Sequence, residues 1–129
     1  MNTQKGIRIA QYLCLFPGLF LIVSGTLQLF FPHAGSVLFD LPNVEALKDP
    51  MALAMGIRQL AIGLMITTLV WSHQQKALGY IMVIGAVVPF TDFLVFSPVI
   101  GTVSALRHAV PVPMILGLGL YLLYQLRKQ

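Results

Sequence analysis

Four long stretches of this chain are almost wholly apolar, and the few polar residues inside and between them organise the rest. Residues 9–31 carry no charge and exceed the ~20 residues that a helix needs to cross a bilayer core. Residues 51–71, 77–97 and 106–126 repeat that length and character. Pro32 closes the first run. Asp49-Pro50 opens the second as a helix start, with Asp as N-cap and Pro in the first turn. Trp71, where the second run ends, suits the interfacial aromatic belt. Residues 72–76 form a tight link and residues 98–104 a small uncharged loop. Residues 32–50 form the one long connection, mixing Asp40, Glu45, Lys48 and Asp49 with Val37, Leu38, Phe39 and Leu41. Such a mixture lies along the interface, folds over the bundle mouth, or simply connects. The pattern predicts an all-α fold. It is a bundle of four transmembrane helices, one integral membrane domain over residues 1–129, with an outer interfacial loop between helices 1 and 2.

Within the runs, helical spacing sorts the residues onto faces. Pro17, Leu21, Ser24 and Gln28 share one face of the first helix, and it should point into the bundle. Ala52, Gly56 and Gly63 fall on one side of the second, with Arg58 roughly 140° away. Small residues permit close helix contact, here with a neighbouring helix or with a second copy in a homodimer. Asp92 shares its face with Leu78, Ile81, Gly85, Val88 and Phe96. Gly85 leaves space beneath the carboxylate, and Pro89 loosens the helix one turn earlier. His108, Val112, Ile115 and Gly119 share a face of the fourth helix.

Composition narrows the class. The 129 residues are 57% hydrophobic and 9% charged, with a mean hydropathy of +0.85; a soluble domain carries roughly 25% charged residues. The formal charge of +4 does not point to nucleic acid, because the basic residues are scattered singles near helix ends. Lys5, Arg8, Lys76, Arg127 and Lys128 fall on one side of the four-span model, against Lys48 and Arg107 on the other. The positive-inside rule puts both termini in the cytoplasm, as in a bacterial inner membrane or its equivalent. Lys5 and Arg8 before an apolar run resemble a signal peptide, but the run is too long, so it reads as an uncleaved first span. The single Cys14 excludes an intrachain disulfide and reads as apolar filling.

The candidate chemistry starts from Arg58. An arginine at membrane depth costs at least ~2.5 kcal/mol on insertion scales and so faces a partner or a watery cavity. Arg58 lies about 10 Å inside the outer end of its span, Asp92 about 9 Å and Gln28 about 6 Å, at 1.5 Å per residue. Arg58 and Asp92 at equal depth can neutralise each other. With His108, Arg107, Gln28 and Ser24 near that level, the pattern suggests an outer-half pocket rather than a lone pair. Arg58, Asp92 and His108 are the candidate catalytic residues; Gln28, Ser24 and Arg107 the candidate ligand contacts. A buried ion pair that only fixes helix register remains the alternative. His33 and His73 read as solvated ends. No ligand spacing for a metal, no Ser-His-Asp set and no phosphate loop is present, and no cofactor is implied.

GIRQLAIGL (residues 56–64), PFTD (89–92), RH (107–108), the FP at Phe31-Pro32 and the LP at Leu41-Pro42 carry a resemblance. Over most of its length the chain is similar to a family of small four-helix membrane proteins catalogued as a domain of unknown function, and broadly to DoxX-like proteins. Similar folds include fungal anthrone-oxygenase-like proteins, which implies that such bundles can act on lipophilic aromatics without a tightly bound cofactor. That likeness is at fold level and supplies no catalytic residue.

Three functions follow. One is a cofactor-independent membrane enzyme of oxygenase, isomerase or hydratase type acting on a small lipophilic molecule. In it Asp92 is a general base or an anchor for Arg58, Arg58 stabilises an oxyanion, and His108 moves protons. The second is a module that binds or helps transport a lipid, quinone or anion. The third is a structural subunit of a membrane complex. The topology has its own test: a reporter fused after Gln129 should read as cytoplasmic, and one inserted in residues 40–49 as non-cytoplasmic.

Overall fold

The computed structural model describes residues 3–39 and 50–128. The described residues form eight helices and no strand: α1 (Thr3–Leu13), α2 (Leu15–Phe30), α3 (Pro32–Phe39), α4 (Pro50–Trp71), α5 (Gln75–Gly85), α6 (Val87–Ile100), α7 (Thr102–Ala109) and α8 (Pro111–Arg127). Together they make four helical stretches long and apolar enough to cross a membrane: Gln4–Phe30, Leu53–Trp71, Gln75–Ile100 and Thr102–Arg127. Asp40, Leu41-Pro42, Glu45, Lys48 and the Asp49 cap lie outside the described residues.

Three of the four stretches are broken once, and proline sets each break. A proline has no N–H to offer the carbonyl four residues earlier, and its ring crowds that carbonyl. Pro17 follows the break at Cys14, Pro89 that at Ala86, and Pro111 and Pro113 flank and follow that at Val110. The break residues keep near-helical backbone, with φ −66° at Cys14, −63° at Ala86 and −52° at Val110. Each stretch is therefore one bent helix rather than two separate ones. α4 has proline only at its first position, where no helical donor is needed, and runs 22 residues without a break.

Two connections differ from the sequence expectation. Residues 32–39 are helical, because Pro32, which ends α2, is equally suited to start α3. The expected loop at residues 98–104 shrinks to Gly101. Its φ of +85° and ψ of 148° turn the chain in a conformation that side chains resist. Pro98 is accommodated inside α6, so the third helix runs on to Ile100 and the fourth starts at Thr102. Ser97 Oγ and Thr102 Oγ1, 3.2 Å apart, clip the turn.

α2 packs along α4, α5 along α8, and α6 along α7, giving two hairpins. The small-residue side of α4 is used within the chain. A Cβ on Gly63 would lie 2.7 Å from Gly18 O and 2.8 Å from Ile22 N, and one on Gly25 would lie 2.6 Å from Leu60 N. Gly56 and Gly63 are thus spent on α2, which leaves them no room to face a second copy; the side chain of Ala52 is outside the described ones. The hairpins join where the termini lie. There Ile7, Cys14, Val70, Leu78, Met82 and Leu122 form the buried core. At the opposite, Gly101 end, α6 has no buried residue.

A polar clasp closes the terminal end. Gln11, fully buried, donates from Nε2 to Val70 O at 2.6 Å and lies 2.9 Å from His73 Nδ1, while Gln75 Nε2 donates to Gln11 Oε1 at 2.8 Å. His73 occupies the left-handed position of a helix C-cap, with φ 55°; His73 N bonds Val70 O and Gln74 N bonds Leu69 O. The sequence reading took His73 for a solvated end. It is exposed, but it is also tied to α1.

Gly63→Leu should separate α2 from α4 and lower stability by about 1–3 kcal/mol, the usual cost of overpacking. Gly117→Ala, with nothing within 4 Å of the added carbon, should be neutral or stabilise by up to about 1 kcal/mol. Thermal unfolding in detergent checks both.

Candidate functional site

The same bends that pack the terminal end leave a cavity between the two hairpins. Its volume is about 440 Å³. Pro17, Pro89 and Pro111 all line it, so each proline break opens onto this space. Its walls are mostly apolar, with Phe20, Ile62, Met82 and Ile115 among them, and Leu38 of α3 reaches its edge. The face of the third helix expected to carry Asp92 does line it: Ile81, Gly85, Val88 and Asp92 all contribute. A Cβ on Gly85 would meet nothing within 4 Å, so the glycine leaves open volume below the carboxylate.

Arg58 and Asp92 come together. Arg58 Nη2 donates to both carboxylate oxygens, at 3.0 Å to Oδ1 and 3.1 Å to Oδ2. A single nitrogen sits astride the carboxylate rather than two nitrogens in a parallel fork. The Asp92 side chain is 17% exposed and that of Arg58 43%. Arg58 therefore reaches the perimeter of the bundle and is not among the residues lining the cavity, whereas Asp92 faces both the cavity and Arg58. The pair bridges α4 and α6, which belong to different hairpins.

His108 and Arg107 close the last turn of α7, where positive charge is favoured by the helix dipole. Both line the cavity. The His108 ring is buried and stacks on Phe96, with centroids 4.9 Å apart and planes 21° apart. Phe96 lies one turn beyond Asp92 on α6, so the imidazole sits about one helical turn along from the carboxylate.

Ser24 and Gln28 have the inward orientation their spacing suggested, yet neither is among the residues lining the cavity. Ser24 Oγ donates to Leu21 O at 3.2 Å. Gln28 is 2% exposed, pressed between Gly35 of α3 and Gly56 of α4, and its Nε2 and Oε1 have no hydrogen-bond partner among the described residues. α4 covers this part of α2, and the cavity begins nearer Leu21 and Pro17. The residue that sequence reasoning overlooked is Gln59. It lines the cavity, is 7% exposed, and has a buried Oε1 without a partner. The available signal was a second polar side chain in the apolar span, directly after Arg58. Among the described residues no three His, Cys, Asp or Glu side chains gather as a metal site.

The model of a family described as Domain of unknown function (DUF4267) matches residues 18–122, a span that includes Arg58, Gln59, Asp92, Arg107 and His108. No curated protein and no solved structure matches the chain.

Arg58→Met alone should destabilise the protein by about 1–3 kcal/mol, since it strands a half-buried carboxylate. Arg58→Met combined with Asp92→Leu should recover most of that loss. A double-mutant cycle of unfolding midpoints in detergent measures the coupling.

Proposed function

The chain belongs to the DUF4267 family, and from its own site we propose a membrane protein whose interior cavity holds a small lipophilic molecule. The observation that carries this reading is the cavity's make-up. Its volume falls within the ~300–1,000 Å³ of ordinary small-molecule sites, its walls are apolar, and Asp92, Arg107, His108 and Gln59 all contribute to its lining. The apolar body of a ligand packs on Phe20, Ile62, Met82 and Ile115. Its polar part lies against the charged and amide groups.

Access is lateral. Phe16 and Val110 line the cavity while remaining 68% and 73% exposed, so an apolar molecule dissolved in the bilayer meets them first. With the basic residues of the termini and of the α4–α5 turn placed in the cytoplasm, the cavity opens in the outer half of the membrane.

A second reading, acid–base chemistry on the bound molecule, is favoured by one observation: a carboxylate and an imidazole line the same cavity. Arg58 orients Asp92 and favours its charged form, which suits a general base. His108 is the group that can take or return a proton. Arg107, a fixed cation on the same wall, would favour negative charge developing on the substrate.

Native mass spectrometry of gently solubilised wild type should show a small molecule that Gly85→Leu, which fills the open volume, and Asp92→Asn both lose. Gly85→Leu should keep its thermal stability. A stable Gly85→Leu carrying the same molecule as wild type would overturn the cavity reading.

A further inference from the structure

Resting on that binding reading, we infer that Gln59 reads a hydroxyl group on the ligand, so that the cavity selects lipophiles carrying an O–H over hydrocarbons and ethers. α4 presents consecutive residues about 100° apart. Arg58 is thereby turned to the perimeter and its carboxylate partner, while Gln59 is turned to the cavity. Its Oε1 is buried without a donor. A buried amide left in that state is unfavourable in apolar surroundings, and it is relieved by a donor delivered from the cavity.

The other acceptor on the wall is differently placed. Both oxygens of Asp92 already receive Arg58 Nη2 within 3.1 Å, so the carboxylate has a cationic partner before any ligand arrives. Gln59 has none for its oxygen. A hydroxyl suits the amide particularly well, since it donates to Oε1 and also accepts from Nε2. An ether can only accept, and a hydrocarbon does neither. Gln28 has the same defect but cannot serve, because it is packed between α3 and α4 away from the cavity lining. Ile62 and Ile66, one and two turns further along α4 from Gln59, also line the space and hold the ligand's apolar body.

The test uses two probes of nearly equal shape, 4-butylphenol and its methyl ether 4-butylanisole, titrated onto the purified full-length protein in lipid nanodiscs. Wild type should bind the phenol about tenfold more tightly, equivalent to ~1.4 kcal/mol. Gln59→Leu and Gln59→Met should bind the two probes alike, with the affinity of wild type for the ether. Both variants should unfold at or above the wild-type temperature without ligand, because they remove an unpartnered amide. Equal binding of the probes to wild type, lost in Gly85→Leu, would leave the cavity standing and overturn the role of Gln59, with water as the amide's partner. A phenol preference that survives in Gln59→Leu would overturn it as well and move the reading group to Asp92. Failure of both probes to bind wild type, with Gly85→Leu unchanged, would overturn the cavity reading and this inference together.

Discussion

A backbone carbonyl in apolar surroundings needs a donor, and proline withholds one. That constraint shapes this bundle more than any side-chain contact does. Three of its four long helices bend one turn or so before a proline, and the fourth, α4, has no proline beyond its first residue and does not break. The straight α4 accepts α2 along its glycine side, backbone almost on backbone. The bent helices cannot stay packed along their whole length. They meet at the terminal end, where the buried core and the Gln11 clasp lie, and part towards Gly101. The space between them is the cavity, and three of the prolines that cause it are in its wall.

The Arg58–Asp92 pair acts on what the prolines leave open. It joins α4 of one hairpin to α6 of the other where no buried apolar core holds them. Its strength depends on its surroundings. In water a partly exposed pair contributes at most about 1 kcal/mol, but beside lipid the weaker screening strengthens the attraction and makes separation of the charges costly. The pair also divides labour between its members. Arg58 stays at the perimeter and supplies charge balance, while Asp92, held by one guanidinium nitrogen, keeps a side towards the cavity. A carboxylate fixed in this way can orient a ligand without having to be re-aimed.

Much of this was legible in the sequence, for a definite reason. Length and apolarity mark membrane-spanning helices, and helical spacing fixes which residues share a face, so the spans, the inward face of Pro17–Leu21–Ser24–Gln28 and the Asp92 face could be read directly. Equal depth in neighbouring spans was enough to pair Arg58 with Asp92. What spacing cannot supply is the identity of the helix opposite. Ser24 and Gln28 face inward as read, but α4 and α3 cover them before the cavity begins. Gln59 was hidden by Arg58: its charge drew the reading to one side of α4, while the amide 100° away faces the empty side. The helix at Pro32–Phe39 and the one-residue turn at Gly101 were missed because proline and glycine were read as ends and loops, when each also starts a helix or reverses one. The Gln11–His73–Gln75 clasp joins residues some 60 positions apart, beyond the reach of any local pattern.

Local choices that weaken the fold are informative when they gather in one place. Gly85 ends a helix without a side chain, although nothing within 4 Å excludes one, and glycine there forgoes up to about 1 kcal/mol of helix propensity relative to alanine. Pro89 breaks the next turn. Gln59 keeps an amide oxygen buried and unpaired. Each runs against the rule that local preference and global fold agree, and each would be improved by an ordinary substitution. Such departures elsewhere in the bundle have a packing reason: Gly25 and Gly63 let backbones touch, and Gly101 turns the chain. Gly85, Pro89 and Gln59 have none, yet all three line the same cavity. The simplest physical account is that the molecule is shaped there for something other than its own packing: open volume from the glycine, an outward bend from the proline, and an unspent hydrogen bond from the glutamine.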